Sequence, residues 1–221
     1  MPRISCQDAL TLATTSNFLA LGQLANERSK KINGNRVAFL VDCNINYSNT
    51  CVCGCEFCAF YRPPSHSESF TLSLGEIDQK IERAIKLGAK RILLQGGMDP
   101  EKKIDYFEDL FRHIRLHHQV QIHALSPPEI DFVARISGLT VKDALKRLIA
   151  AGLDSIPGGG AEILSDKIRK RVSPNKCSAD TWINVMREAH QLGLKTTATM
   201  MFGHAENWED RIEHLNRIRQ L

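Results

Sequence analysis

The chain is expected to fold as an α/β protein, a partial (β/α) barrel, and three observations lead there. Short apolar stretches alternate with amphipathic ones along the 221 residues. Gly, Asn or a capping Ser/Thr punctuates the joins. The chemically distinctive segments fall directly after the apolar stretches. Alternating strands and helices assemble as a parallel sheet with right-handed crossovers and outer helices. In a barrel of that kind the segments after the strands line the C-terminal face, where active sites are built.

Taken in order, the pattern predicts a helical stretch from Gln7 to Lys31, stopped by Asn33-Gly34. A first strand, Val37–Val41, leads through Asn44-Ile-Asn-Tyr into a cysteine-rich loop. Ser73 and Glu76 form a capping box for a helix whose Ile77, Ile81 and Ile85 share a face up to Gly88. The strand Arg91–Gln95 ends at Gly96-Gly97. A helix with Phe107, Leu110, Phe111 and Ile114 inward leads to the strand Val120–His123. Thr140 caps a helix with Val141, Ala144, Leu145 and Leu148, which stops at Gly152 before the strand Leu153–Ile156. Pro157 and three glycines open a further helix at Ala161. Ser178 caps a helix with Trp182, Val185, Met186 and Ala189 inward, ending at Gly193. The strand Leu194–Met201 and a helix carrying Ile212, Leu215 and Ile218 come last.

Five strands do not close a barrel, and the sequence stops at Gln220-Leu221 inside an amphipathic pattern, so a closing strand and C-terminal segment are expected to be missing. The division expected is an N-terminal helical segment, 1–35, and a partial barrel domain, 36–221. Apolar residues make up 43% and charged residues 24%, the balance of a globular domain with an adequate core. The net charge of +4, from 29 basic and 25 acidic residues, is spread without a basic block, so no nucleic-acid partner is expected. No apolar run approaches a membrane span. The opening Met1-Pro-Arg-Ile-Ser-Cys-Gln-Asp lacks the layout of a secretion signal, and a cytoplasmic location is expected.

Seven cysteines stand out, four of them (Cys51, Cys53, Cys55, Cys58) in one loop. An odd count and tight clustering point to metal rather than disulfides. Cys51, Cys55 and Cys58 stand in C-x3-C-x2-C spacing, suited to three irons of a cubane cluster with the fourth iron left open. A structural zinc site remains the alternative, though it usually draws on two separated pairs, and no second pair is present. Cys53 is read as a bystander, because a fourth ligand would close the open iron.

The loop Cys51-Val-Cys-Gly-Cys-Glu-Phe-Cys58 resembles the signature of radical S-adenosylmethionine (SAM) enzymes. Its flanks, Asn44-Ile-Asn-Tyr-Ser-Asn and Ala59-Phe-Tyr-Arg62, resemble the branch holding futalosine-pathway enzymes of menaquinone biosynthesis and deazaflavin-cofactor synthases. Within that branch His123–Ile130, Gly152–Leu164 and Thr197–Gly203 most resemble the dehypoxanthine futalosine cyclases, with Ser155-Ile-Pro-Gly-Gly-Gly-Ala-Glu162 the most discriminating string. Cys43, where relatives usually carry a basic residue, and the additional Cys53 depart from the pattern without removing a cluster ligand.

The resemblance implies a TIM-like radical SAM barrel holding a [4Fe-4S] cluster on Cys51, Cys55 and Cys58. It implies SAM chelating the open iron and cleaved to a 5′-deoxyadenosyl radical, with an electron donor such as flavodoxin or ferredoxin. Gln95, Gly96 and Gly97 resemble the glycine motif that meets the amino group of SAM, and Phe57 and Tyr61 are candidates to lie beside its adenine. The implied substrate is dehypoxanthine futalosine, whose ribose radical adds to the benzoate ring before a proton and an electron leave. His123 is the first candidate base, since its ordinary pKa is near neutrality; Glu129 and Glu162 follow. Ser126, the turn Gly158, Gly159, Gly160, and Arg169 are candidates for substrate contact, the turn through N–H groups suited to a carboxylate. His113, His117, His118, His204 and His214 read as surface or helix-face residues, and Met200 and Met201 as filling. Aminofutalosine synthase or a deazaflavin-cofactor synthase remains an alternative within the branch, and a non-catalytic metal-binding piece an alternative outside it.

Overall fold

The computed structural model describes residues 3–221, so the first two residues of the expected 1–35 segment, and of the N-terminal signal reading, lie outside it. Five parallel strands form one sheet in the order β1-β2-β3-β4-β5: β1 (Asp42–Asn46), β2 (Arg91–Gln95), β3 (Gln121–Ala124), β4 (Ser155–Ile156) and β5 (Lys195–Thr196). Register puts Asn44 beside Leu93, Leu93 beside His123, and His123 beside Ser155. This is a (β/α) half-barrel, with the sheet unclosed between β1 and β5.

The helices run α1 (Cys6–Ala13), α2 (Phe18–Asn33), α3 (Leu74–Lys86), α4 (Ile104–His117), α5 (Pro127–Ile136), α6 (Val141–Ala151), α7 (Asp166–Val172), α8 (Ala179–Gln191) and α9 (Trp208–Gln220). Strand residues alternate between faces. Ile45, Ile92, Leu94, Ile122 and Ala124 are buried against helix residues such as Ile77, Ile81, Phe107, Phe111, Leu145 and Trp182 in one continuous core. The other face carries Asn44, Asn46, Leu93, Gln95 and His123.

Several elements differ from the sequence expectation. The first helix is broken in two, because Thr14 Oγ1 donates back to the Leu10 carbonyl and Asn17 starts a new helix by accepting the Ala20 N–H. Val37–Val41 is not a strand. It precedes the first residue of β2, so it has no ladder partner, and Val37 is 93% exposed. Only Val41 touches the sheet, its carbonyl accepting from Lys90 N–H. The last two strands shrink to two residues each: Pro157 lacks an N–H, and beyond it Gly158 bonds to the side chains of Thr197 and Thr199 in place of a backbone ladder. Helix α7 begins at Asp166 rather than Ala161, because Glu162 adopts φ +43, which no helix accommodates. Strict alternation fails after β3, where α5, absent from the sequence expectation, precedes α6. α1 packs on α9, with Arg219 donating to the Ile4 carbonyl, while α2 buries none of its residues. Among the described residues no helix is long and apolar enough to cross a membrane.

Candidate active site

The cysteine loop leaves the C-terminal end of β1 and is gripped from three sides. Met98 O accepts from Val52 N–H, Arg62 O from Cys51 N–H, and Val172 O from Glu56 N–H. Cys51, Cys55 and Cys58 line one cavity of about 450 Å³, together with Phe57, Tyr61, Gln95, Gly96, Gly97, Ser126, Glu129, Gly160 and Lys176. Cys53 does not line it. It is 1% exposed, with Sγ 3.7 Å from both Met98 Sδ and the Asn175 carbonyl oxygen. A hydrogen bond from Cys53, joined by the N–H groups of Cys53 and Met98 at 3.4 Å, brings the Cys51 thiol down to about 6. A lowered pKa favours the thiolate, the form that ligates metal. Burial pushes Cys55 up instead.

Two glycines make the cavity possible. A Cβ on Gly96 would stand 2.5 Å from the Tyr47 ring, and one on Gly97 would stand 2.0 Å from the Thr50 carbonyl oxygen and 2.6 Å from Cys51 Cβ. Glycine lets the end of β2 press against the metal loop.

Glu129 locks this arrangement. Its Oε1 accepts from Tyr47 OH at 3.0 Å and Gly96 N–H at 3.1 Å, and its Oε2 accepts from Ser126 N–H at 2.8 Å and Ser126 Oγ–H at 2.6 Å. The same carboxylate closes the capping box of α5. Burial raises its pKa. Four donors on its two oxygens tie Glu129 to Tyr47, the end of β2 and the start of α5.

Other expected residues are placed elsewhere. His123 lines a separate cavity of about 200 Å³ with Arg91, Ser155 and Lys195, and its Nδ1 is 2.7 Å from Ser155 Oγ. Burial lowers its pKa. Arg169, a candidate for substrate contact, does not line the thiol cavity. Its guanidinium is buried and donates to the carbonyls of Gly160, Ala161 and Cys177. In the glycine-rich turn the Gly158 N–H is taken by Thr197 Oγ1 and the Gly159 carbonyl by Trp182 Nε1, so Gly160 is the one of the three that lines the thiol cavity. Glu162 is not at a helix start; its Oε1 accepts from Lys176 Nζ at 2.8 Å. His214, read as a surface or helix-face residue, lies on α9 but is 1% exposed, and it accepts the Leu164 N–H. Lys176 escaped the sequence reading altogether, since Ser173-Pro-Asn-Lys176 carries no spacing tied to the cysteine loop.

A parallel half-barrel with three convergent thiols at its mouth defines a (β/α)-barrel protein built around a thiolate-held metal group. The chain belongs to the radical SAM superfamily, whose profile matches residues 45–218. It is 40% identical, over 98% of its length, to cyclic dehypoxanthine futalosine synthase of Halalkalibacterium halodurans. It is also 40% identical, over 97% of its length, to the 5-amino-6-(D-ribitylamino)uracil–L-tyrosine 4-hydroxyphenyl transferase of Methanococcoides burtonii. The chain spans 59% of the length of each of these curated relatives. Among solved structures, methylornithine synthase (PylB) superposes with a TM-score of 0.77 at 19% identity, covering 99% of this chain and 62% of that one. The hydrogenase maturase HydG gives 0.74 at 18%, covering 98% and 48%.

The superfamily uses a [4Fe-4S] cluster and SAM, and the residues present fit that pair. Three thiols share one cavity, and the additional cysteine is held outside it.

Proposed function

We propose that this chain is the core of a radical SAM enzyme that converts dehypoxanthine futalosine to its cyclic form in menaquinone biosynthesis. The observation that carries the chemistry is the convergence of Cys51, Cys55, Cys58, Phe57 and the Gln95–Gly97 ridge on one cavity. Bound there, the cluster and SAM supply a 5′-deoxyadenosyl radical that takes a hydrogen atom from the substrate ribose.

The chain's own residues hold and orient. Cys51, Cys55 and Cys58 are the metal ligands, and Cys53 is kept from competing. Glu129 fixes the Gly96 N–H, so the strand end offers its backbone to the amino group of SAM at a set angle. Phe57 and Tyr61 offer ring faces to the adenine. Ser126, Pro128 and Gly160 complete the wall. His123 faces the separate cavity it shares with Arg91, Ser155 and Lys195, so the proton lost when the arene regains aromaticity is not assigned to it. An electron donor of the flavodoxin or ferredoxin kind would supply the electron that a cluster held by these cysteines needs.

The futalosine substrate is supported by the identity to the named synthase and by the Ser155–Glu162 string, whose Gly160 lines the cavity. The equal identity to the tyrosine hydroxyphenyl transferase supports a second reading, in which tyrosine and 5-amino-6-(D-ribitylamino)uracil are the substrates. Anaerobic incubation of the reconstituted, reduced chain with SAM and each substrate set, read by mass spectrometry, decides between them. The first reading expects 5′-deoxyadenosine and a product lighter than dehypoxanthine futalosine by two hydrogens. Product from the tyrosine set alone would replace it with the second, and no 5′-deoxyadenosine from either would end both.

A further inference from the structure

The Lys176–Glu162 ion pair lies beside the cysteine loop and has no part in the chemistry above. The ammonium donates to Glu162 Oε1 at 2.8 Å, lies 5.4 Å from the Phe57 ring centroid, and lines the same cavity as the Cys55 thiol. Both side chains are largely buried, at 15% exposure for the lysine and 6% for the glutamate.

The surroundings hold this pair at a cost. Glu162 adopts φ +43, a left-handed conformation that a non-glycine residue keeps only when its neighbours impose it. Its Oε2 is buried without a hydrogen-bond partner among the described residues, 3.6 Å from the nearest Arg169 nitrogen. The loop bearing Lys176 is clasped to the metal loop from both sides: Asn175 Nδ2 donates to the Cys53 carbonyl at 3.0 Å, and Cys53 Sγ–H donates to the Asn175 carbonyl at 3.7 Å. The position of Lys176 relative to the thiols is thereby set by the fold.

We propose that Lys176 and Glu162 act as an opposed pair of charges that sets the reduction potential of the cluster held by Cys51, Cys55 and Cys58. The inference rests on the cluster reading above. Taking up one electron adds a negative charge to the cluster and its thiolates. A buried cation beside a ligand sulfur stabilises that charge, and the carboxylate behind it opposes the effect; both act through the low local dielectric. Lys176 and Glu162 are positioning residues here, and neither passes an electron or a proton.

The test is a potentiometric titration of the reconstituted full chain, followed by the electron paramagnetic resonance signal of the reduced cluster, without SAM or substrate. K176M is expected to shift the potential down, E162Q to shift it up, and K176R to stay near the parent, with iron and sulfide per chain unchanged in all three. Shifts of the same sign in K176M and E162Q, or lost iron in both, would assign the pair a purely structural role and overturn the proposal. Unmoved potentials on intact clusters would overturn it as well. If K176M does not accumulate, the sign of the E162Q shift decides. A parent chain that takes up no [4Fe-4S] cluster removes both the cluster reading and this inference, whereas an intact parent cluster with unmoved variants removes this inference alone.

Discussion

At the scale of single residues, the three thiols that share the cavity stood out in the sequence because metal chemistry constrains cysteine spacing in one short loop. Replacing Cys51, Cys55 or Cys58 with Ala is expected to abolish iron retention after anaerobic reconstitution. Cys53→Ala is expected to keep the iron, at a stability loss of about 1 kcal/mol from its small buried side chain; iron content and a urea titration read the two effects separately. Gly97→Ala drives a methyl group into the Thr50 carbonyl oxygen and Cys51 Cβ. An overpacking cost of about 1–3 kcal/mol follows, together with weaker SAM binding measured by calorimetry on the loaded chain. Arg169 was misread for a physical reason. Nothing in Lys167-Ile-Arg-Lys-Arg171 tells a buried arginine from a solvated one. The carbonyls of Gly160, Ala161 and Cys177 that capture it come together only once the chain has folded.

At the scale of elements, pattern succeeded where burial is one-sided and failed where a partner sets the outcome. The stripe of Ile77 and Ile81 marks α3 because only one face of that helix is covered. Val37–Val41 has the composition of a strand and no neighbour to pair with, so composition misled. α5 was readable in principle, since Ser126-Pro-Pro-Glu129 is a capping box with proline in the first turn, yet Glu129 was read as chemistry rather than as a cap. Glu129→Ala strips the acceptor from four buried donors, and a stability loss of about 3 kcal/mol is expected in chemical denaturation.

On α9, burial holds His214 down to about 4. Its folded pKa lies below the unfolded value, so the unfolded state binds the proton more readily. Stability is therefore expected to fall as pH drops from about 6.5 toward 4. His214→Gln, whose side-chain oxygen still accepts the Leu164 N–H, is expected to flatten that dependence in melting curves recorded across the same range.

At the scale of the whole molecule, the main core and the metal loop are separate bodies of packing. One cluster joins Ile45, Ile92, Phe107, Leu145, Trp182 and their neighbours, and another joins Cys53, Cys55, Met98 and Phe132. Chelating the iron is therefore expected to leave the far-ultraviolet circular dichroism of the chain unchanged, unlike a zinc finger, which unfolds without its metal. Limited trypsin digestion is expected to cut first within Lys30–Arg36, where α2 buries nothing and the following segment lies outside the sheet. The contact between Gly97 and the Thr50–Cys51 backbone also sets an order of events in the life of the protein. The cysteine loop takes its shape against a turn that exists only after β1 and β2 have paired, and parallel pairing across so many residues forms late. Delivery of the metal group is therefore expected to follow the pairing of β1 and β2 rather than to precede it.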